Sequence, residues 1–442
     1  MGAQAGSSGV LERLFELTRR KATLRGEIVG GVTTFMTMSY IIFVNAGILA
    51  AAGMPPGGVM VATCLGAAVG CIAMGLSANL PVALAPGMGM NALVAYVICG
   101  QMGFTWQVAL GMVFWAGVVF LALSIFRVRE KVITAIPQSM KFAAASGIGL
   151  FIAFIGLQHS TLVVGNPVTL VQMGEVRDTT VLVSLAGLAL TCILLVLKVR
   201  GAILVGLAGT ALIALAGGLL VWQPVEELSF TATLFKLDIM GALSWGAIPA
   251  IVTLLFFDLF DTVGTLMGVS EEAGLLDKDG RIPRAGRALM SDAAGSVAGA
   301  LFGTTTVTSY IESASGVAAG ARTGLSNLVV AALFLLSLPL LPLVAAVGSS
   351  NCVTAPALIV VGFLMSGALR KIEWEDYTES IPAFLTVILM PLTFSISAGL
   401  AVGLVSYVVL KLASRRGKDV HPLMYAISAA IVVGYVAIQV AS

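Results

Sequence analysis

Charge is scarce in this chain. Only 10% of its 442 residues are Asp, Glu, Lys or Arg, whereas a soluble domain carries about a quarter. That shortage excludes a surface facing water on all sides, and lipid is the solvent that remains. Histidine is nearly absent too: His159 and His421 are the only two, which rules out a histidine-rich metal centre. The five cysteines (Cys64, Cys71, Cys99, Cys192 and Cys352) show no CxxC spacing. All lie in or beside apolar runs, so they read as buried small hydrophobes, not as disulfides or metal ligands. A net charge of +2 gives no footing for nucleic acid. No cleavable signal peptide is visible, because the first apolar run follows Arg19, Arg20, Lys21 and Arg25 and is too long for a signal core.

What the chain has instead is apolar length: 58% hydrophobic residues and a mean hydropathy of +1.03. A helix needs about 20 apolar residues to cross the roughly 30 Å hydrocarbon layer. Runs of that kind are expected at 27–50, 58–77, 83–99, 105–126, 138–157, 180–198 and 202–222. A second set lies at 246–269, 288–303, 306–321, 325–347, 352–369, 379–394 and 396–413. The expectation is an all-α polytopic membrane protein of about fourteen spans. The apolar stretch 422–440 is either a further span or a surface helix. Residues 1–8 read as a disordered arm. Leu11, Leu14, Phe15 and Leu17 then alternate with charges, as a short surface helix or a solvated arm would.

Basic residues test this count. With the N-terminus in the cytoplasm, the even-numbered connections hold Arg127, Arg129 and Lys131; Lys198 and Arg200; Lys278, Arg281, Arg284 and Arg287; Arg322; and Arg370 and Lys371. Lys411 lies in the last turn of the fourteenth span, and Arg415, Arg416 and Lys418 come after it. The odd-numbered connections hold little beyond Arg177 and Lys236. A single miscounted span would scramble this positive-inside pattern.

Two spans are broken. The third contains Ala85-Pro-Gly-Met-Gly-Met-Asn-Ala92, and the tenth, from Thr304 to Gly316, is too rich in hydroxyls to score by hydropathy. Irregular backbone at membrane depth survives only where protein or a water-filled cavity satisfies it. Asn91 and Glu312 stand about 220 residues apart, the same offset as the starts of the first and eighth spans. A repeat of seven spans is odd in number, so its second copy is inverted. Interrupted segments at matching positions of inverted halves point to a transporter's binding site, and the cargo is a small polar solute.

Acids mark that site. Asp258 lies about 12 residues, roughly 18 Å, from either end of the eighth span, and Asp261, Thr262 and Thr265 share its helical face. Ionisable groups at such depth mark ion or proton pathways; capping a broken helix is the plainer alternative. Glu312, near Thr308 and Ser309, can accept hydrogen bonds from the ring N–H groups of a flat heterocycle. Asn91 offers both donors and acceptors, or simply caps a helix. Phe257, Phe260, Tyr310 and Tyr96 could stack on a ring, although aromatics in spans more often face lipid or core. Asp292 reads as a helix cap, His159 has no evident role, and residues 271–280 lack calcium-loop spacing.

With these residues in view, the chain resembles the nucleobase–cation symporter-2 superfamily, in particular its AzgA-like adenine/guanine/hypoxanthine permeases. The matching stretches are 26–45 (GEIVGGVTTFMTMSYIIFVN), 85–92 (APGMGMNA), 257–265 (FDLFDTVGT) and 308–316 (TSYIESASG). The resemblance implies the fold of the uracil permease, two inverted repeats of seven spans with a short strand in each of spans three and ten. It divides the chain into a cytoplasmic arm (1–26), core segments 27–126 and 246–347, gate segments 127–222 and 352–413, and a C-terminal tail (414–442). It implies that Asn91, Asp258 and Glu312 contact substrate, with Asp261, Thr308 and Ser309 beside them. Asp258, Asp261 and Glu312 would couple protons, with H+ as the driving ion and neither cofactor nor metal. The same resemblance implies a purine permease of the plasma or inner membrane, homodimeric through its gate and not an enzyme. Uracil, xanthine or urate, or an anion, are the alternative cargoes on this fold. A basic site would suit an anion, yet no Lys or Arg falls in mid-span. An intramembrane aspartyl protease would need two aspartates sharing one proton, and Asp258 and Asp261 lie on one helix. A receptor or channel would not need duplicated broken helices.

Overall fold

The computed structural model describes residues 9–125, 137–199, 201–219, 230–276, 282–342, 350–394, 396–422 and a few positions between 424 and 432. The stretches 1–8 and most of 422–440 lie outside the described residues, as do Arg127, Arg129, Lys131, Arg200, Lys278, Arg281 and the side chain of Phe260. Among the described residues, seven helices are long and apolar enough to cross a membrane, with five shorter apolar helices besides. The chain divides into two compact units, Met1–Ile125 with Ile193–Ser350, and Phe126–Cys192 with Asn351–Ser442.

The first unit holds α1 (Val10–Phe15), α2 (Leu24–Met38), α3 (Ile41–Ala50), α4 (Pro56–Ala73), β1 (Leu84–Pro86), α5 (Met88–Ala92) and α6 (Trp106–Ile125). In the second unit are α7 (Gln138–His159), β2 (Val163–Asn166), β3 (Leu170–Met173) and most of α8 (Thr179–Val196). The chain returns to the first unit for α9 (Ala202–Ala216), α10 (Ile248–Glu272), α11 (Ala285–Phe302), β4 (Val307–Ser309), α12 (Ser313–Ala318) and α13 (Leu325–Ser337). It ends in the second with α14 (Asn351–Ser366), α15 (Tyr377–Leu392) and α16 (Ile396–Ala413).

Both broken spans take the expected form of a three-residue strand leading into a short helix, and the two strands pair. β1 runs antiparallel to β4, with Leu84 opposite Ser309, Ala85 opposite Thr308 and Pro86 opposite Val307. Gly87 N donates to Thr306 O at 2.9 Å and Tyr310 N to Ala83 O at 2.9 Å, extending the pairing at both ends. Pro86 suits a short strand, where it interrupts no long ladder. A π-helix over Leu93–Gln101 continues the third span beyond α5. The β2–β3 hairpin has no counterpart in the sequence reading; the Asn166 side chain organises its turn by accepting from Val168 N and Thr169 N.

Backbones approach closely where glycine allows. A Cβ on Gly30 would stand 2.8 Å from Gly316 O, so α2 meets α12 with nothing between them. In the second unit a Cβ on Gly149 would stand 2.8 Å from Gly362 O, which seats α7 on α14. Small residues of this kind let helices pack in a membrane, where lipid is as apolar as leucine.

Two polar clamps hold the first unit. Glu27, wholly buried, accepts from Arg322 N at 2.8 Å, Thr323 N at 3.0 Å and Ser326 N at 3.1 Å. One carboxylate thereby satisfies backbone donors that the start of α13 leaves open. Asn79, in a left-handed turn at φ 54°, accepts from Gly324 N and donates to Phe15 O. The N-terminal arm, helical over Val10–Phe15, packs on protein through part of its apolar face. Phe15 and Leu17 are buried against Leu325, and Arg20 donates to Asn79 O and Arg322 O. Leu11, Phe15 and Leu17 thus face protein, while Leu14 is 49% exposed. The reading of all five cysteines as buried also needs correction: all are free, but Cys99 is half-buried and Cys192 exposed. α8 is apolar around its whole circumference, so periodicity could not tell its packed face from its outer one.

In the second unit Lys411, 2% exposed, pairs with Glu379 at 2.8 Å, and Arg416 with Asp376 at 2.6 Å. Asp376 also caps α15 by accepting from Thr378 N. Hydrogen bonds from Thr378 and Arg416 hold its carboxyl below the ordinary aspartate range.

Both sets of contacts can be tested by substitution. Glu27→Ala strands three buried N–H groups and costs about 3 kcal/mol, read as a lowered melting temperature of the purified protein. A folded-state pKa below the unfolded one gives stability above the unfolded value that is lost as pH falls through the folded one. Asp376→Asn therefore lowers the melting temperature at pH 7, and its difference from the native protein shrinks as pH falls below about 4.

Candidate functional site

The β1–β4 pair gathers polar side chains from six segments of the first unit. α10 presents Asp258 and Asp261, three residues apart and so on one face. Next to Asp261, Thr262 Oγ1 lies 2.9 Å from Thr308 Oγ1, a hydroxyl bond that ties α10 to β4. Asp258 is 3% exposed, and its Oδ2 lies 3.5 Å from Ser296 Oγ, which also donates to Val307 O at 3.1 Å. Asp261 is less buried. It interacts electrostatically with Asp292 and Glu312, and a Cβ placed on Gly87 would lie 3.8 Å from its Oδ2. That same Cβ would be 2.7 Å from Thr308 Cγ2. Only glycine fits where the third span passes under these side chains.

Glu312 stands at the N-cap of α12, where the helix dipole favours negative charge. Its Oε1 accepts from Tyr40 Oη at 2.6 Å. Asn91 is fully buried in α5. Its Oδ1 accepts from Thr305 Oγ1, while its Nδ2 has no hydrogen-bond partner among the described residues. Ser309 Oγ donates to Asp292 Oδ1 at 3.3 Å. Every site residue expected from sequence (Asn91, Asp258, Asp261, Thr308, Ser309 and Glu312) thus lies on or beside one strand crossing. Of the aromatics, Phe257 and Tyr310 are buried in this unit, and Tyr310 Oη donates to Pro86 O at 2.5 Å. Tyr96 is half-buried in the π-helix. His159 ends α7 in the second unit.

Asp292 is not a helix cap. It lies in the second turn of α11, wholly buried, with Ser296 one turn on. A stripe of two polar residues four apart in a small-residue helix is the signal that marks it. Thr262, expected on the Asp258 face, is part of the site, and Tyr40, Ser296 and Thr305 also belong to it without standing out in sequence. Tyr40 sits inside a stretch notable for its resemblance alone, and Thr305 is the middle of the run Thr304-Thr-Thr306. Among the described residues no cluster of His, Cys, Asp and Glu is arranged to hold a metal ion.

The arrangement is a polar, acid-lined crossing of two interrupted segments, rich in hydroxyls that can donate or accept. Neither Asp261 nor Glu312 has a salt-bridge partner among the described residues. Such a set suits a neutral solute with several N–H donors better than an anion.

Comparison with known proteins agrees with this architecture. The transmembrane domain of the cyanobacterial bicarbonate transporter BicA superposes with a TM-score of 0.62 at 16% identity, covering 86% of this chain and 97% of that one. At that identity the likeness is one of fold. The adenine permease AdeQ of Escherichia coli (strain K12) is 43% identical over 96% of this chain and 96% of its own. The guanine/hypoxanthine permease PbuG of Bacillus subtilis (strain 168) is 43% identical over 94% of this chain and 97% of its own. A model described as the permease family matches residues 25–402. The chain is thus a multi-pass membrane protein that belongs to this permease family, the nucleobase–cation symporter-2 transporters.

Proposed function

We propose that this chain imports purine nucleobases, adenine, guanine or hypoxanthine among them. The observation that carries the reading is near-full-length identity of about two residues in five to permeases named for those bases, joined to an acid-lined crossing that suits N–H donors. Glu312 takes a ring N–H on its carboxylate, with Asp261, Thr308 and Ser309 along the same edge. Asn91 turns its unpartnered Nδ2 toward a ring nitrogen or carbonyl. Asp258, more deeply buried, takes up a proton as the base enters. That step removes one of the site's negative charges before it crosses the low-dielectric region, where a bare carboxylate costs at least about 2.5–3.5 kcal/mol. Loaded, and with that charge removed, the unit carrying the site moves as a body to expose it on the other side.

The driving ion in this scheme is H+, and no cofactor takes part. The fourteen spans form two inverted repeats, divided into core and gate as the family resemblance implies. The chain sits in the plasma or inner membrane with its N-terminus in the cytoplasm, as its Lys and Arg placement favours, and it pairs as a homodimer in the bilayer.

The test is uptake of radiolabelled adenine, guanine, hypoxanthine and uracil by cells expressing the chain, with and without a protonophore. Purine uptake that collapses with the proton gradient is expected. Asp258→Asn should abolish that dependence, and Glu312→Gln should weaken base binding by about tenfold or more, the worth of one charge-assisted hydrogen bond. Uracil uptake without purines would replace the substrate, and pH-dependent uptake surviving Asp258→Asn would remove that residue from the coupling.

A further inference from the structure

Beyond its own backbone N–H, Glu312 has little on its own segment to hold its carboxylate. It stands on a turn between a three-residue strand and a six-residue helix, a segment too short to fix a side chain by itself. What reaches it is the first span. The Gly30–Gly316 contact brings α2 against α12, and a Cβ on Gly316 would collide with Thr34 Oγ1. That contact sets which residues of the first span face the tenth. One turn past Thr34, Thr37 Oγ1 comes within 3.5 Å of Glu312 O. At the break between α2 and α3, the Tyr40 hydroxyl lands on Oε1 at 2.6 Å.

Tyr40 is wholly buried, so its ring is held by packing and its hydroxyl needs a partner where water cannot supply one. The 2.6 Å separation lies in the range of a charge-assisted O–H···O⁻ bond, about twice the strength of a neutral one. No other side chain among the described residues donates to Glu312.

We infer that Tyr40 is a positioning residue for nucleobase recognition: it holds Oε1 of Glu312 so that the second carboxylate oxygen is presented to the ring N–H of the base. The inference rests on the purine reading and adds to it how the carboxylate is aimed. One oxygen is occupied by the protein and one by the ligand. A carboxylate so held loses little orientational freedom when the base binds, and this saving is a direct gain in affinity. Free of Tyr40, Glu312 samples several rotamers on its short turn, and the base must select one of them.

Tyr40→Phe removes the hydroxyl and keeps the ring, so packing against α12 survives. Initial-rate uptake of labelled adenine and hypoxanthine is measured for the native chain and the variant, with membrane amount and melting temperature recorded for both. The inference predicts a KM raised about tenfold with Vmax per molecule and melting temperature near native. Glu312→Asp shortens the carboxylate by one methylene and takes it out of Tyr40's reach. In that background Tyr40→Phe should add no further rise in KM. A KM unchanged in the single variant overturns the inference, as does the same fold-rise in both backgrounds, since Tyr40 would then act without Glu312. If the native chain takes up neither base, the purine reading falls and this inference with it. Native uptake with an indifferent Tyr40→Phe sinks the inference alone.

Discussion

Unpaired backbone cannot be left in hydrocarbon, and this constraint organises the site. Two spans are interrupted at membrane depth, and each exposes N–H and C=O groups that a helix would have satisfied internally. The chain resolves this by pairing the interruptions with each other, β1 against β4, with Gly87 and Tyr310 closing the ends. The pairing forces the third and tenth spans to cross at one place, and the half-helices α5 and α12 depart from that crossing. The location of the polar site is set by the same hydrogen bonds. Side chains at the crossing can be polar because the backbone there is already irregular and enclosed by protein.

Around that crossing, the polar groups divide into those that build and those that remain available. Ser296 braces β4 through Val307 O, the Thr262–Thr308 hydroxyl bond ties α10 to the strand, and the Tyr310 hydroxyl donates to Pro86 O on β1. Glu27, at the start of the first span, and Asn79, just past the end of the second, hold the approach to α13. With the frame fixed in this way, Glu312, Asp261 and Asn91 Nδ2 can serve function. Acids that the frame does not need are the ones the proposed scheme assigns to solute and proton.

Much of this is legible in the sequence. Apolar run length locates most of the long apolar helices, and the Pro86, Gly87 and Gly89 cluster with the hydroxyl-rich 304–316 segment locates the two breaks. Acids at mid-span stand out because membranes tolerate so few of them. What stays hidden depends on long-range register. Tyr40 and Glu312 lie 272 residues apart, and nothing in the local pattern says that Gly30 and Gly316 bring them together. Asp292 misleads because an acid near a span's start looks like a cap until the rotation of α11 is known. The arm at Phe15 and Leu17 shows its apolar face, but not whether lipid, water or α13 covers it. Periodicity identifies a face and leaves its partner to the fold.

The central claim is that a purine base sits at the β1–β4 crossing with a ring N–H on Glu312. An experimental structure of the purified protein with adenine bound tests it most directly. The account predicts the base at that crossing, within hydrogen-bond distance of the Glu312 carboxylate, with Tyr40 still on Oε1. Adenine bound elsewhere in the first unit, or in the second unit with Glu312 untouched, would contradict it.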